Sequence, residues 1–182
     1  MGITPLNPIR ALFLDRDGVI IRAMVRDGKP YPPSSLAELE ILPDVPSALQ
    51  RAKAHGFLII VVTNQPDVGR GRQSQAVVES MHEHLRSQMP IDDILVCYHD
   101  DADECLCRKP KPGLLQAAAA KHNIELAASV MVGDRWRDID AGAAGGCQTI
   151  LVDYNYRERG PSATPDFRVS SLAQAVDLLG AF

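Results

Sequence analysis

Carboxylates gather at two points of the 182-residue chain, each just after a short apolar run. The first is Asp15-Arg16-Asp17-Gly18. A carboxylate there can serve as nucleophile, metal ligand or general acid/base, and on an extended backbone Asp15 and Asp17 share a side. Two acids after a strand also make an ordinary helix cap or solvated turn. Gly18 permits a sharp turn or a close backbone approach to a ligand. The second point is Gly133-Asp134-Arg135-Trp136-Arg137-Asp138. Together with Asp15, these acids form an oxygen-rich donor set that favours Mg²⁺ over softer metals. For Asp138, capping the following helix or supporting a ligand is the preferred reading.

Two further segments carry groups suited to an anion. Thr63-Asn64-Gln65 offers a hydroxyl and two amides, or equally an Asn-capped turn. Arg108-Lys109-Pro110-Lys111-Pro112-Gly113 holds cations on a stretch stiffened by prolines. A fixed Lys109 beside carboxylates can offset phosphate charge, whereas Lys111 reads as solvated.

Three of the four cysteines lie in one loop, in the pattern Cys97-Tyr98-His99, a short acidic stretch, then Cys105-Leu106-Cys107. Three thiolates and an imidazole fit a tetrahedral structural Zn²⁺ site within residues 97–107. Buried free thiols and a redox pair are the alternatives. Cys147 has no partner pattern and reads as core. So few cysteines, so clustered, do not form a secreted disulfide framework; a reducing, cytoplasmic setting is expected.

The elements that position these groups follow from periodicity. Continuous apolar, β-branched runs at 9–14, 58–62, 94–97, 130–132 and 149–152 suit strands buried on both faces of a parallel sheet, with a short last strand at 167–169. Helical spacing lies between them: Val45, Leu49 and Ala52 with Asp44 as N-cap and Gly56 as stop; Val77, Met81 and Leu85; residues 114–122; residues 138–144; and Leu172, Val176 and Leu179 after Ser170 and Ser171. Alternating strand and helix give an α/β fold, a doubly wound, mostly parallel sheet with helices on both faces. Residues 23–36, 96–112 and 154–165 read as irregular. A single domain over 1–182 is expected. In such sheets ligands sit beyond the carboxyl ends of the strands, where the groups above fall.

Composition narrows the partners. With 46% hydrophobic residues the chain can build a core. Nineteen Lys and Arg against 23 Asp and Glu give a net charge of −4, which argues against a broad nucleic-acid or anionic-membrane surface. No apolar run approaches the roughly 20 residues of a membrane span, and the first residues do not read as a signal peptide. A monomer is expected.

The order Asp15-Arg16-Asp17-Gly18, Thr63, Lys109, then Gly133-Asp134 with Asp138 resembles the haloacid dehalogenase-like (HAD) phosphatase superfamily. The resemblance implies a phosphoryl-transfer site. Asp15 is then the nucleophile and Asp17 the general acid/base. Thr63 and Lys109 hold the phosphoryl oxygens. Asp134, the Asp15 carboxylate and the backbone carbonyl of Asp17 hold Mg²⁺. The cysteine loop with Arg108-Lys109-Pro110-Lys111-Pro112-Gly113 is similar to the zinc-containing branch of heptose 1,7-bisphosphate and histidinol-phosphate phosphatases, which has no large cap domain. The segment 63–71 resembles the heptose form because Arg70-Gly71 closes it. Pro66-Asp67 stands where those enzymes carry a Ser-Gly pair, which leaves the sugar open. The resemblance makes Asn64, Gln65, Arg70, Arg108 and Arg135 candidate substrate-binding residues, and a small phosphorylated sugar the expected partner. Histidinol phosphate, and a non-catalytic binding module on the same fold, are the alternatives.

Overall fold

The computed structural model describes residues 8–181. Its centre is a six-stranded sheet in the order β5-β4-β1-β6-β7-β8, with every neighbouring pair parallel. The strands are β1 (Arg10–Leu14), β4 (Phe57–Asn64), β5 (Asp93–Cys97), β6 (Val130–Gly133), β7 (Gln148–Val152) and β8 (Phe167–Val169). The first five match the five apolar runs, because a strand covered on both faces needs side chains that pack both ways, and β8 is the short, mostly exposed last strand.

Alternation within β1 shows the two layers. Leu12 and Leu14 point into a core built with helices α1 (Val45–Ala54) and α6 (Leu172–Leu178). Ala11 and Phe13 point into a second core with α4 (Gly113–His122) and α5 (Trp136–Gly145). Leu85 of α3 (Gln75–Gln88) joins the first core. Cys147 is buried in the second, as its isolation in sequence suggested. No helix among the described residues is long and apolar enough to cross a membrane.

Several sequence expectations need correction. Residues 23–36 are not wholly irregular: β2 (Met24–Arg26) and β3 (Lys29–Tyr31) form an antiparallel hairpin. In the segment 63–71, Thr63 and Asn64 end β4 and Pro66–Gly69 forms a one-turn helix, α2. Asp44 does not cap its own helix. Its carboxylate instead accepts from the amide of Ala173, 129 residues away, at the start of α6. Ser171 caps α6 as expected, accepting from the Gln174 amide. In α3 the buried position is Val78 rather than Val77. The helix expected at 138–144 begins at Trp136, so Asp138 sits in its first turn and not at the N-cap.

The chain runs outward from β1 to β5 on one side, then returns to β6 on the other side of β1. The carboxyl ends of β4, β1 and β6 therefore face the crevice at the point where the winding reverses.

Candidate active site

Each central strand delivers one or two polar groups to that crevice. Asp15 follows β1, Thr63 and Asn64 end β4, and Asp134 follows β6. Lys109 arrives from the loop ahead of α4. Its ammonium is buried and lies 2.8 Å from Asp15 Oδ1, 2.6 Å from Asp138 Oδ1 and 2.7 Å from the Val62 carbonyl. Burial alone would lower the pKa of Lys109. The charges of Asp138 and Asp15 outweigh burial and hold it above its ordinary value.

Asp15, Asp134 and Asp138 each present an oxygen within 4.8 Å of the others. Asp134 is the most exposed to this crowding. Desolvation first, then the charges of Asp15 and Asp138, push its carboxyl well above the usual range, although the Tyr156 hydroxyl offsets part of the penalty. Neither Asp134 oxygen accepts a hydrogen bond of normal geometry, although both are buried. Asp138 is pushed up to about 6 by burial, with Lys109 pulling the other way. Orphaned carboxylate oxygens among like charges are a destabilised arrangement in a bare protein. An oxygen-coordinated divalent cation resolves it, so the donor set fits Mg²⁺.

Two glycines make the crowding possible. Gly18 has φ +88°, and a Cβ there would stand 1.9 Å from Asp134 Oδ2. A Cβ on Gly133 would stand 2.0 Å from the Cβ of Asp138. Substituting Gly18 by Ala therefore adds left-handed strain of about 1–2 kcal/mol and displaces Asp134. The expected outcome is a melting temperature lower by about 2–8 °C and turnover reduced at least ~10-fold. Wild-type melting and turnover in that variant would show that Asp134 is not held against Gly18.

Asp138 takes both roles read for it from the sequence, capping the helix start and supporting a charged group of the site. One oxygen accepts from the Arg135 amide at 3.1 Å, closing the first turn of α5, and the other holds Lys109. Its spacing as a helix-start residue was visible; its pairing with a lysine 29 positions earlier in the chain was not. Thr63 is fully buried and accepts from Gln65 Nε2 at 2.9 Å. Gln65 Nε2 also donates to Asp17 at 2.8 Å. Asp17 is held from the other side by the Arg16 guanidinium at 3.0 Å. The Asn64 amide engages the Lys109 backbone at both ends, at 3.0 and 3.1 Å, and so fixes that residue's path.

Asp15, Asp17, Asn64, Gln65, Lys109 and Asp138 line a cleft of about 350 Å³, while the buried Thr63 and Asp134 are not part of its lining. The hairpin contributes Lys29, Pro30 and Tyr31 to one wall. Arg70, Arg108 and Arg135 all line the cleft, and each is paired with a carboxylate: Arg70 with Asp100, Arg108 with Asp101 at 2.8 Å, Arg135 with Glu158. Arg137, not singled out from the sequence, also lines it and reaches Asp101 and the Lys109 carbonyl.

The cysteine loop stands beside this cleft because Cys97 ends β5 opposite Asn64 of β4. Cys97, Cys105, Cys107 and His99 Nδ1 converge within 4.8 Å of one another, with five of the six separations at 3.3–3.7 Å. Bond lengths of about 2.3 Å to sulfur and 2.0–2.1 Å to nitrogen imply tetrahedral edges of roughly 3.5–3.8 Å, so the four groups fit Zn²⁺. Burial pushes the Cys97 thiol up, so its thiolate needs a cation beside it. The four cysteines are all free thiols, which leaves the cluster available to a metal. Lys111 is not simply solvated: its ammonium caps the carbonyls of Glu104 and Cys105, both at 2.8 Å.

A buried lysine among carboxylates at the winding reversal of a parallel sheet makes a site suited to an anionic group held beside a hard cation. The HAD-hydrolase-like family model matches residues 106–175. The D-glycero-alpha-D-manno-heptose-1,7-bisphosphate 7-phosphatase of Mycobacterium tuberculosis is 38% identical over 152 residues, 78% of each chain. The beta-heptose counterpart from Pseudomonas putida is 35% identical over 156 residues, 83% of this chain and 86% of that one. The D,D-heptose 1,7-bisphosphate phosphatase of B. bronchiseptica, solved with magnesium and phosphate, superposes with a TM-score of 0.79 at 29% identity, covering 95% of this chain and 99% of that one. The chain belongs to the family of HAD heptose-bisphosphate phosphatases.

Proposed function

We propose that the protein removes one phosphate from a heptose 1,7-bisphosphate by way of a phosphorylated Asp15. The observation that carries the catalytic reading is the Asp15–Lys109–Asp138 cluster beside the two unpartnered oxygens of Asp134. The sugar is supported by the relatives' names alone.

Lys109 takes Asp15 Oδ1, so Oδ2 is the oxygen that meets phosphorus. The bond from that oxygen to phosphorus forms as the sugar oxygen departs. Asp17 gives the departing oxygen a proton. It then takes a proton from the water that attacks phosphorus, and Asp15 is released. The Lys109 ammonium and the Thr63 hydroxyl hold non-bridging oxygens, where charge sits through the transfer. Mg²⁺, when held by the Asp15 and Asp134 carboxylates and the Asp17 carbonyl, neutralises phosphoryl charge and screens the approach of one anion to another. Gln65 fixes Thr63 and Asp17 relative to each other. Arg70, Arg108 and Arg135 meet the remaining phosphate or the sugar hydroxyls as donors already shared with carboxylates. Zn²⁺ on Cys97, His99, Cys105 and Cys107 is structural in this reading, bracing the loop that leads into Arg108 and Lys109.

Phosphate release from heptose 1,7-bisphosphate and from histidinol phosphate, each with and without Mg²⁺, tests the substrate. A kcat/KM at least ~100-fold higher for the heptose ester is expected, since a site built for several polar contacts rejects a ligand that lacks them. Equal or faster turnover of histidinol phosphate would overturn the sugar reading.

A further inference from the structure

Arg16 is fully buried, yet it lies between two catalytic candidates and touches no phosphate-binding group. A buried guanidinium persists only where its donors are matched. Its Nε and one terminal nitrogen lie 3.0–3.3 Å from the Asp17 carboxylate. Its other terminal nitrogen lies 3.2 Å from His82 Nε2, and His82, on α3, is itself buried. Guanidinium nitrogens only donate, so His82 Nε2 must be the lone-pair nitrogen and Nδ1 carries the ring proton. Nδ1 faces Glu79 Oε2 at 3.6 Å, and Glu79 accepts from the hydroxyl of Tyr98, which sits between Cys97 and His99. Burial and the Arg16 charge keep the ring neutral, down to about 4, which agrees with that tautomer.

We infer that His82 is a positioning residue for Asp17: its imidazole accepts from Arg16, fixes the plane of that guanidinium, and so holds the acid/base carboxylate at the cleft. The inference rests on the proposed role of Asp17. Without an acceptor at position 82, one Arg16 donor is stranded in the core and the fork on Asp17 loses its second anchor. Asp17 then sits wrongly for proton transfer, while Asp15 and Lys109 are untouched.

Leaving-group dependence separates this role from general damage. An alkyl phosphate needs its departing oxygen protonated; p-nitrophenyl phosphate does not. His82→Leu should lower kcat/KM for glycerol phosphate roughly 10- to 100-fold and for p-nitrophenyl phosphate less than about 3-fold. His82→Gln, whose side-chain oxygen can accept from Arg16, should recover most of the loss. Equal losses for the two esters, no loss for either, or a Gln variant as impaired as Leu would each overturn the inference. Asp17→Asn serves as the reference. If it too fails to discriminate between the esters, the acid/base reading falls and the inference with it; if it discriminates and His82→Leu does not, only the inference falls.

Discussion

Replacing Asp15 by Asn should abolish phosphate release, by at least ~10⁴-fold in kcat, while the fold and the zinc content stay intact. An amide cannot form the acyl phosphate, and the other carboxylates are not placed to substitute: Asp17 is held by Arg16 and Gln65. Asp134 lacks a cation at hydrogen-bond distance, and Asp138 is committed to Lys109 and the Arg135 amide. The fold should survive because the change removes one charge from a group of three buried acids, of which only Asp15 and Asp138 pair with Lys109. Lys109 keeps Asp138 and the Val62 carbonyl. Metal-free melting is therefore expected within a few degrees of wild type, but the added stability that Mg²⁺ gives the wild type should shrink, because a ligand stabilises only in proportion to its affinity for the folded state. Measurable turnover with full Mg²⁺ stabilisation would refute Asp15 as nucleophile. It would also revive the reading in which the cluster is only a binding site.

How far this site could be read from sequence depended on the range of the contacts. The ends of β1, β4 and β6 were legible because strands buried on both faces appear as unbroken apolar runs, and the polar residue that follows each must lie at the crevice. The cysteine loop was legible because its four groups lie within eleven residues. The hairpin 24–31 was not. Its strands are mostly exposed and one contains Pro30, so no burial pattern distinguishes them from a loop. Long-range side-chain pairing was equally hidden. His82 follows the helical spacing of α3 and reads as an ordinary core-facing residue until Arg16, 66 positions earlier, is seen against it. Asp44 looks like the cap of its own helix, but it lies against the start of α6. The arginines at the cleft were visible as charges, while the carboxylates that hold them, such as Glu158 on Arg135, were not.

With Zn²⁺ held by the cysteine loop as proposed, Cys105→Ser should lose it, lower the melting temperature by about 5–10 °C and reduce kcat by roughly 100-fold, with a smaller change in KM. Cys105 is the suitable position because it is only partly buried, so the near-isosteric serine removes a metal ligand without opening a cavity in the core. The loss should reach the chemistry through the chain itself. Cys107 precedes Arg108 and Lys109 directly, and Lys109 must put its ammonium within 2.8 Å of Asp15. Asn64 grips the Lys109 backbone and Lys111 ties down the carbonyls of Glu104 and Cys105, so the loop retains some order without metal. Those ties hold Lys109 approximately in place, which is why the expected loss is smaller than that of Asp15→Asn. A displacement of about 1 Å is enough to cost that much in a transfer governed by position. Cys147→Ser is the control: that thiol lies outside the cluster, so its variant should keep metal and turnover. If Cys105→Ser proved metal-free yet melted and turned over like the wild type, the zinc would have no part in holding Lys109.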